Sequence, residues 1–317
     1  MTLLDCAAFL RQHDRYLILT HRRPDGDAVG SAAGLCRGLR KLGKTAFVLP
    51  NPEATPRHEE MLASCVSPAD YLPETVVSVD LAEEGILQLN AEGYGGKIAL
   101  SIDHHPSNSH YAGETFLDSE AGACGELIYL LMKELQVPVD KELATLLYIA
   151  VTTDTGCFRY KNTCPQTLRV GADLLEAGAP VDLNRTLFMK KSRPRLLLES
   201  RMIAGLQFFQ GGEASLAAVT LEDLKSISAT EADLEDIASV AGSVEGVELS
   251  ITLREVGDGE WKVSLRTGQY GNASRICAEF GGGGHGMAAG CTVKGSREEV
   301  TARLMDAARR HWHEDPL

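Results

Sequence analysis

No pair of cysteines in this chain is spaced C-x-x-C, no apolar run reaches the length that spans a bilayer (~18–20 residues), and no long run of lysine or arginine occurs. Each absence excludes something. The eight cysteines (Cys6, Cys36, Cys65, Cys124, Cys157, Cys164, Cys277 and Cys291) are scattered, so they read as reduced thiols, neither a zinc site nor a disulfide framework. The N-terminal stretch carries Asp5 early and has no basic segment ahead of an apolar one, so it does not read as a signal peptide. A cytoplasmic protein without a membrane partner is the expectation. Net charge of one sign is plentiful instead, at −13. Such a surface repels long duplex nucleic acid. A polyanionic substrate would have to be small, or be held by metals and a few local cations.

Apolar residues make up 44% of the chain and charged residues 24%, which places it among ordinary globular proteins and not disordered ones. Its 317 residues exceed one comfortable core, so two domains are expected. The first half alternates apolar runs at 16–20 (YLILT), 45–49 (TAFVL), 75–80 (TVVSVD) and 97–103 (KIALSID) with helical patterns at 28–42, 123–135 and 141–153. That alternation predicts an α/β domain built on a parallel sheet, whose ligands lie beyond the carboxyl ends of the strands. The basic, then helical stretch 190–210 reads as a connection. Beyond it, β-rich runs at 214–220, 247–256 and 261–266 and helical patterns at 230–241, 273–280 and 296–312 predict a smaller mixed α+β domain. The boundaries expected are 1–190 for the first domain, 191–212 for a linker helix and 213–317 for the second.

Four constellations carry chemistry. His21-Arg-Arg-Pro-Asp25-Gly-Asp27 follows a predicted strand and precedes a predicted helix; the glycine lets both carboxylates turn toward one point, though Asp27 also reads as a plain helix N-cap. Asp80 ends an apolar strand, and taken alone it reads first as a helix cap before 81–85 (LAEEG). Asp103-His104-His105 ends another, and three titratable groups after a buried strand are costly to arrange without a purpose. Asp154 ends an apolar helical pattern, where its charge opposes the helix dipole unless something compensates it. Together these put imidazoles and carboxylates on one edge of a sheet. Such ligands suit Mn²⁺, Mg²⁺, Co²⁺ or Fe²⁺, and six of them suit two ions sharing a carboxylate. Arg22 and Arg23 remain open between phosphate contact and plain solvation, and Asn162, in 160–163 (YKNT), between a cleft position and an ordinary turn. Cys157 has no base beside it in sequence, and His13, His58, His110, His311 and His313 sit in no motif.

The four motifs, in this order across about residues 15–160, resemble the DHH phosphoesterase family. That resemblance implies one metal ion on His21, Asp25 and Asp80 and a second on Asp27, Asp80, His104 and Asp154, with Asp80 bridging. Manganese is the leading choice. It implies that His105 contacts the scissile phosphate and that Asp103 orients a histidine.

In the second domain, Arg266 in 264–267 (SLRT) precedes the run 281–290 (GGGGHGMAAG). Glycines let backbone N–H groups approach a phosphate, Arg266 can pair with one bidentately, and His285 adds a donor. On spacing alone the run is as well a flexible loop before a strand. It resembles the glycine-rich motif of the DHH-associated domain, which implies that Arg266, Gly283, Gly284 and His285 bind the non-scissile end of the substrate, in a cleft between the domains.

Within the family, length and motif spacing look most like the nanoRNase/pAp-phosphatase group. Its members cleave short oligoribonucleotides and linear dinucleotides such as pApA to 5′-mononucleotides, remove the 3′-phosphate of adenosine 3′,5′-bisphosphate (pAp), and in some cases act on cyclic dinucleotides. Three rival readings are an inorganic pyrophosphatase, which would end in a basic Ser-Arg-Lys-Lys type run absent here; a RecJ-like exonuclease, for which the chain is short and acidic; and a non-catalytic nucleotide sensor, against which every ligand position is filled. A homodimer through the apolar helices 127–135 and 143–149 is left open.

Overall fold

A computed structural model describes residues 1–183, 190–234, 237–268 and 270–311, and leaves the side chain of His285 outside the description. The chain divides into two units, Met1–Lys190 and Lys191–Leu317.

The first unit runs α1 (Leu3–Gln12), β1 (Tyr16–Leu19), α2 (Gly26–Lys41), β2 (Ala46–Val48), α3 (Pro56–Leu62), β3 (Thr75–Val79), β4 (Leu100–Asp103), β5 (Glu114–Leu117), α4 (Cys124–Glu134), α5 (Lys141–Asp154) and α6 (Pro165–Glu176). The strands are all parallel, in the order β2-β1-β3-β4-β5. β1, β3 and β4 are buried along their whole length, as parallel strands covered on both faces are, whereas the edge strand β5 buries only Phe116. Ile18, Val77 and Ile102 pack with α1, α2, α4 and α5, whereas Leu17, Leu19 and Val76 enter a second cluster with Leu81, Leu87 and Ile98. The expected parallel α/β sheet is present.

Helix α2 begins two residues before the apolar pattern does. Asp25, not Asp27, is its N-cap: Asp25 Oδ1 accepts from the Asp27 and Ala28 amides at 3.0 Å. That leaves Asp27 inside the first turn, with its carboxylate directed elsewhere. Gly26, Gly30, Gly34 and Gly38 recur every four residues and form one stripe along α2. A Cβ at Gly30 would fall 2.6 Å from the Leu146 carbonyl oxygen, and one at Gly26 2.5 Å from Thr153. The stripe therefore lets α2 lie close against α5, and brings Asp27 toward Asp154.

The second unit runs α7 (Arg193–Ala204), β6 (Gln207–Phe209), β7 (Ala214–Val219), α8 (Leu221–Ser226), α9 (Ala238–Ala241), β8 (Leu249–Gly257), β9 (Glu260–Thr267), α10 (Ala273–Ala278), β10 (Gly283–His285), β11 (Ala288–Lys294) and α11 (Arg297–Arg310). Its mixed sheet has the order β10-β11-β9-β8-β7-β6, with only β7 and β8 parallel. The stretch expected as a linker helix is helical over Arg193–Ala204 alone. Leu198 and Met202 of α7 pack on Ala217 and Val219, and the largely exposed β6 pairs with β7 as the edge strand of the sheet. Within 230–241, Glu231–Leu234 is a 3₁₀ turn and α9 follows, with 235 and 236 outside the described residues. Trp312 and His313 also lie outside them. No helix among the described residues is long and apolar enough to cross a membrane.

Candidate metal centre

In an open parallel sheet, the crevice for ligands opens at the carboxyl ends of the strands, where the strand order reverses. Here β2 lies to one side of β1 and β3 to the other, so the reversal falls between β1 and β3. His21 and Asp25 follow β1, Asp80 follows β3, and Asp103, His104 and His105 end or follow β4. Asp27 comes from the first turn of α2, and Asp154 is the last residue of α5. Ligand atoms of His21, Asp25 and Asp80 lie within 4.8 Å of one another, as do those of Asp27, His104 and Asp154, and those of Asp80, His104 and His105.

The histidines are set by their other ring nitrogen. His21 Nδ1 lies 2.8 Å from the Arg22 carbonyl and His104 Nδ1 3.1 Å from that of Ala121. A carbonyl only accepts, so each Nδ1 is protonated and each Nε2 of the neutral ring is a bare lone pair. His21 Nε2 is 3.8 Å from Asp80 Oδ2. His104 Nε2 is 3.5 Å from Asp80 Oδ1, 3.6 Å from Asp154 Oδ2 and 3.8 Å from Asp27 Oδ2. Those separations exceed a hydrogen bond and suit two donors on one cation. His105 differs: its Nδ1 donates to Asp103 Oδ1 at 2.7 Å, and this bond holds the ring above the usual histidine range. Burial alone would raise Asp103, but donors from His105 and Asn108 outweigh it and hold the carboxyl low.

The remaining carboxylates are pushed the other way. Burial raises Asp27 and Asp80 well above the carboxylate range; Asp154 and Asp25 add to it at Asp27, and Asp27, Asp25, Asp103 and Asp154 at Asp80. Burial also raises Asp154. Asp27 is partly compensated by the start of α4, whose Cys124 and Gly125 amides donate to it at 2.6 and 2.9 Å. Asp80 has no such help and sits in a left-handed backbone conformation, φ +53°. Asp80 Oδ1 and His104 Nε2 are both buried without a hydrogen-bond partner among the described residues. Orphaned buried acceptors facing one another are costly. A divalent cation would remove both the orphaning and the repulsion, so the donor set fits metal ions.

A set of amides holds these residues, of which the sequence reading singles out Asn162 alone, as a candidate cleft position. Asn51 donates to Thr20 Oγ1 and the His21 carbonyl, Gln88 accepts from the Thr20 amide, Asn108 donates to Asp103 Oδ2, and Asn162 donates to Asp154 Oδ2. The partners of Asn51 and Gln88 are far away in sequence, while Asn108 and Asn162 reach back only a few residues, through turns that no local pattern announces.

In the second unit, β11 pairs Ala288 with both Arg266 of β9 and His285 of β10. The two expected substrate residues thus occupy one rung, two strand spacings apart, about 10 Å. Arg266 lines a cavity of about 160 Å³ with Thr252, Arg254, Lys262 and Ser264, a lining that includes three cations. The glycine run is a strand at Gly283–His285, not a loop. A Cβ at Gly282 would meet the Gly290 carbonyl oxygen at 2.2 Å and one at Gly284 that of Ala288 at 2.5 Å, so both are needed for packing against β11. Gly283 alone of the three faces open space.

The family profile described as DHH family, N-terminal domain, matches residues 15–151, and that of the DHHA1 domain residues 212–312. The chain is 33% identical over 298 residues to the bifunctional oligoribonuclease and PAP phosphatase NrnA of Thermus thermophilus, covering 92% of this chain and 88% of that one. It is 25% identical over 308 residues to the protein of the same name from Bacillus subtilis, covering 94% and 96%. Among solved structures, an exopolyphosphatase-related protein from Bacteroides fragilis superposes with a TM-score of 0.85 at 24% identity, covering 97% of this chain and 96% of that one. The chain belongs to the DHH family, with a DHHA1 domain after its DHH domain, alongside the bifunctional oligoribonuclease and PAP phosphatases.

Proposed function

We propose that the chain hydrolyses short oligoribonucleotides and linear dinucleotides to 5′-mononucleotides and removes the 3′-phosphate of pAp, using two divalent ions, manganese foremost. The observation that carries the reading is the buried pair of orphaned acceptors, Asp80 Oδ1 and His104 Nε2, inside a cluster of raised carboxylates. His21, Asp25 and Asp80 would hold one ion, and Asp27, His104 and Asp154 the other, with Asp80 shared. Ions bound there supply Lewis acidity: a water acidified toward neutrality and a screen for phosphoryl charge. The residues do the rest. The Asp103 hydrogen bond raises His105 and so favours the protonated ring, whose Nε2 would donate to an oxygen of the scissile phosphate. Arg266, His285 and the Gly283 and Gly284 backbone take the terminal phosphate of a short strand. The −13 charge favours such small substrates over long duplexes, and eight free thiols suit a reducing, cytoplasmic compartment.

Incubating the full chain with Mn²⁺ and, separately, pApA, pAp, a cyclic dinucleotide and pyrophosphate tests the reading. Release of AMP from pApA and pAp is expected. Turnover of pyrophosphate alone would replace it with a pyrophosphatase.

A further inference from the structure

Asp154 closes α5, and the chain then reverses within a few residues. Gly156, Cys157 and Phe158 all have left-handed backbone, with φ of +54°, +60° and +62°, and two of the three are not glycine. The turn is clamped: the Phe158 amide donates to Thr155 Oγ1, the Arg159 and Tyr160 amides to the Thr155 carbonyl, and Arg159 Nε to the Gly156 carbonyl at 2.6 Å. A run of left-handed non-glycine residues persists only where its surroundings impose it. Its result is that Asn162 returns to the residue the helix ended on.

The Asn162 amide nitrogen has three acceptors: Asp154 Oδ2 at 3.0 Å, the Asp154 carbonyl at 3.2 Å and the Gly122 carbonyl at 2.9 Å. All three are acceptors, so the nitrogen and not the oxygen must point at them. Gly122 lies between Ala121, whose carbonyl fixes His104 Nδ1, and the start of α4, whose amides hold Asp27. The Gly122 amide is tied in turn to Glu126, which Thr167 also bonds. One neutral amide therefore ties Asp154 to the 121–125 segment, whose backbone groups hold the side chains of His104 and Asp27, and makes no such bond to the loop that carries His21 and Asp25. On that side the comparable amide is Asn51, bonded to Thr20 and the His21 carbonyl.

We infer that Asn162 is a positioning residue for the ion held by Asp27, His104 and Asp154, that it sets the affinity of that ion separately from the one held by His21 and Asp25, and that Asn51 does the converse. The inference rests on the two-ion reading above. A neutral donor suits the task. Lysine or arginine in the same place would orient Asp154 and also cancel the charge that attracts a cation.

Calorimetric titration of the metal-stripped full chain with Mn²⁺ tests it. Wild type is expected to take up two ions; uptake of fewer overturns the two-ion reading itself and this inference with it. Asn162→Ala and the near-isosteric Asn162→Leu are expected to leave one binding step at the wild-type affinity and weaken the other about 10- to 100-fold, the range for partners that orient metal ligands. At one equivalent of Mn²⁺ per site, their electron paramagnetic resonance spectrum should pass from a spin-coupled pair toward an isolated ion. Asn51→Leu should weaken the other step. Circular dichroism and the melting temperature in EDTA establish that each variant folds. Two unchanged steps in folded Asn162 variants, or equal weakening of both, would overturn the assignment.

Discussion

The carboxylate cluster of the first unit and the Arg266–His285 rung of the second are held by opposite means. In the cluster, side chains are fixed by other side chains and by helix ends: Asp27 by the start of α4, Asp103 by Asn108, Asp154 by Asn162. The arrangement is under electrostatic tension, with Asp27, Asp80 and Asp154 all pushed up. On the rung, the backbone of three paired strands does the positioning, and Arg266 stands exposed, donating to its neighbour's carbonyl. The first site stores a cost that a bound cation relieves. The second stores none, and offers cations to an anion that arrives. Substitutions should therefore couple stability and activity in the first unit and separate them in the second.

The largest effect expected is at Asp80. Asparagine tolerates its left-handed backbone and removes the charge, so Asp80→Asn should cut turnover of pApA about a thousandfold or more, since a metal's charge stabilisation is worth several kcal/mol and each 1.36 kcal/mol is tenfold. Stability should move oppositely. Because the folded-state value of Asp80 lies above its unfolded one, the folded chain keeps a proton that the unfolded chain releases. The contribution of that group is full below the ordinary carboxylate range and is lost as the pH rises through the raised value. In EDTA, Asp80→Asn should therefore melt higher than wild type, by a margin that widens from pH 4 upward. With Mn²⁺ the order should reverse, because the ion stabilises wild type. A variant that melts lower than wild type in EDTA at every pH would contradict the account of the tension.

What was legible beforehand divides along the same line. β1, β3 and β4 were readable because buried parallel strands are continuous apolar runs ending in polar residues, and that also exposed Asp80 and Asp103 as strand-end positions. β5 and β10 were not. Glu114–Leu117 has one fully buried side chain, and Gly283–His285 has no strand propensity of its own and is recruited by β11. The convergence of His21, Asp25, Asp27, Asp80, His104 and Asp154 was readable from motif order. Asn51 and Asn108 were not, and Asn162 was singled out only as a candidate cleft position, because an amide's role is decided by whatever the fold carries to it. That Asp25 rather than Asp27 caps α2 was hidden for a related reason: both are good caps, and Asp27 is drawn away by α4.

An intermediate effect is expected at Arg266. A charge-assisted hydrogen bond to phosphate contributes about 1.5–3 kcal/mol, so Arg266→Ala should lower kcat/KM for pApA about 10- to 150-fold. Hydrolysis of an aryl phosphodiester, which has no terminal phosphate, should change by less than about threefold, and the melting temperature should not move. Equal losses on both substrates would remove the terminal-phosphate role and leave Arg266 a solvated surface cation.

The smallest effects sharpen the comparison most, because one atom is added to each region. At Gly30 a methyl group meets the Leu146 carbonyl oxygen and Ala150, neither of which can swing away. Forcing α2 from α5 costs about 1–3 kcal/mol, and alanine's better helix propensity returns only about 0.5–1 of it. Gly30→Ala should melt a few degrees lower and also bind Mn²⁺ more weakly, since the same helix pair carries Asp27 and Asp154. At Gly283 the added methyl meets nothing within 4 Å. Stability should stay within about 0.5 kcal/mol and Mn²⁺ affinity unchanged, while KM for pApA rises because the methyl stands where phosphate would approach the backbone. If Gly283→Ala left KM untouched, the glycine run would be explained by the packing of Gly282 and Gly284 against β11 alone, and terminal-phosphate binding would rest on the side chains of the second unit.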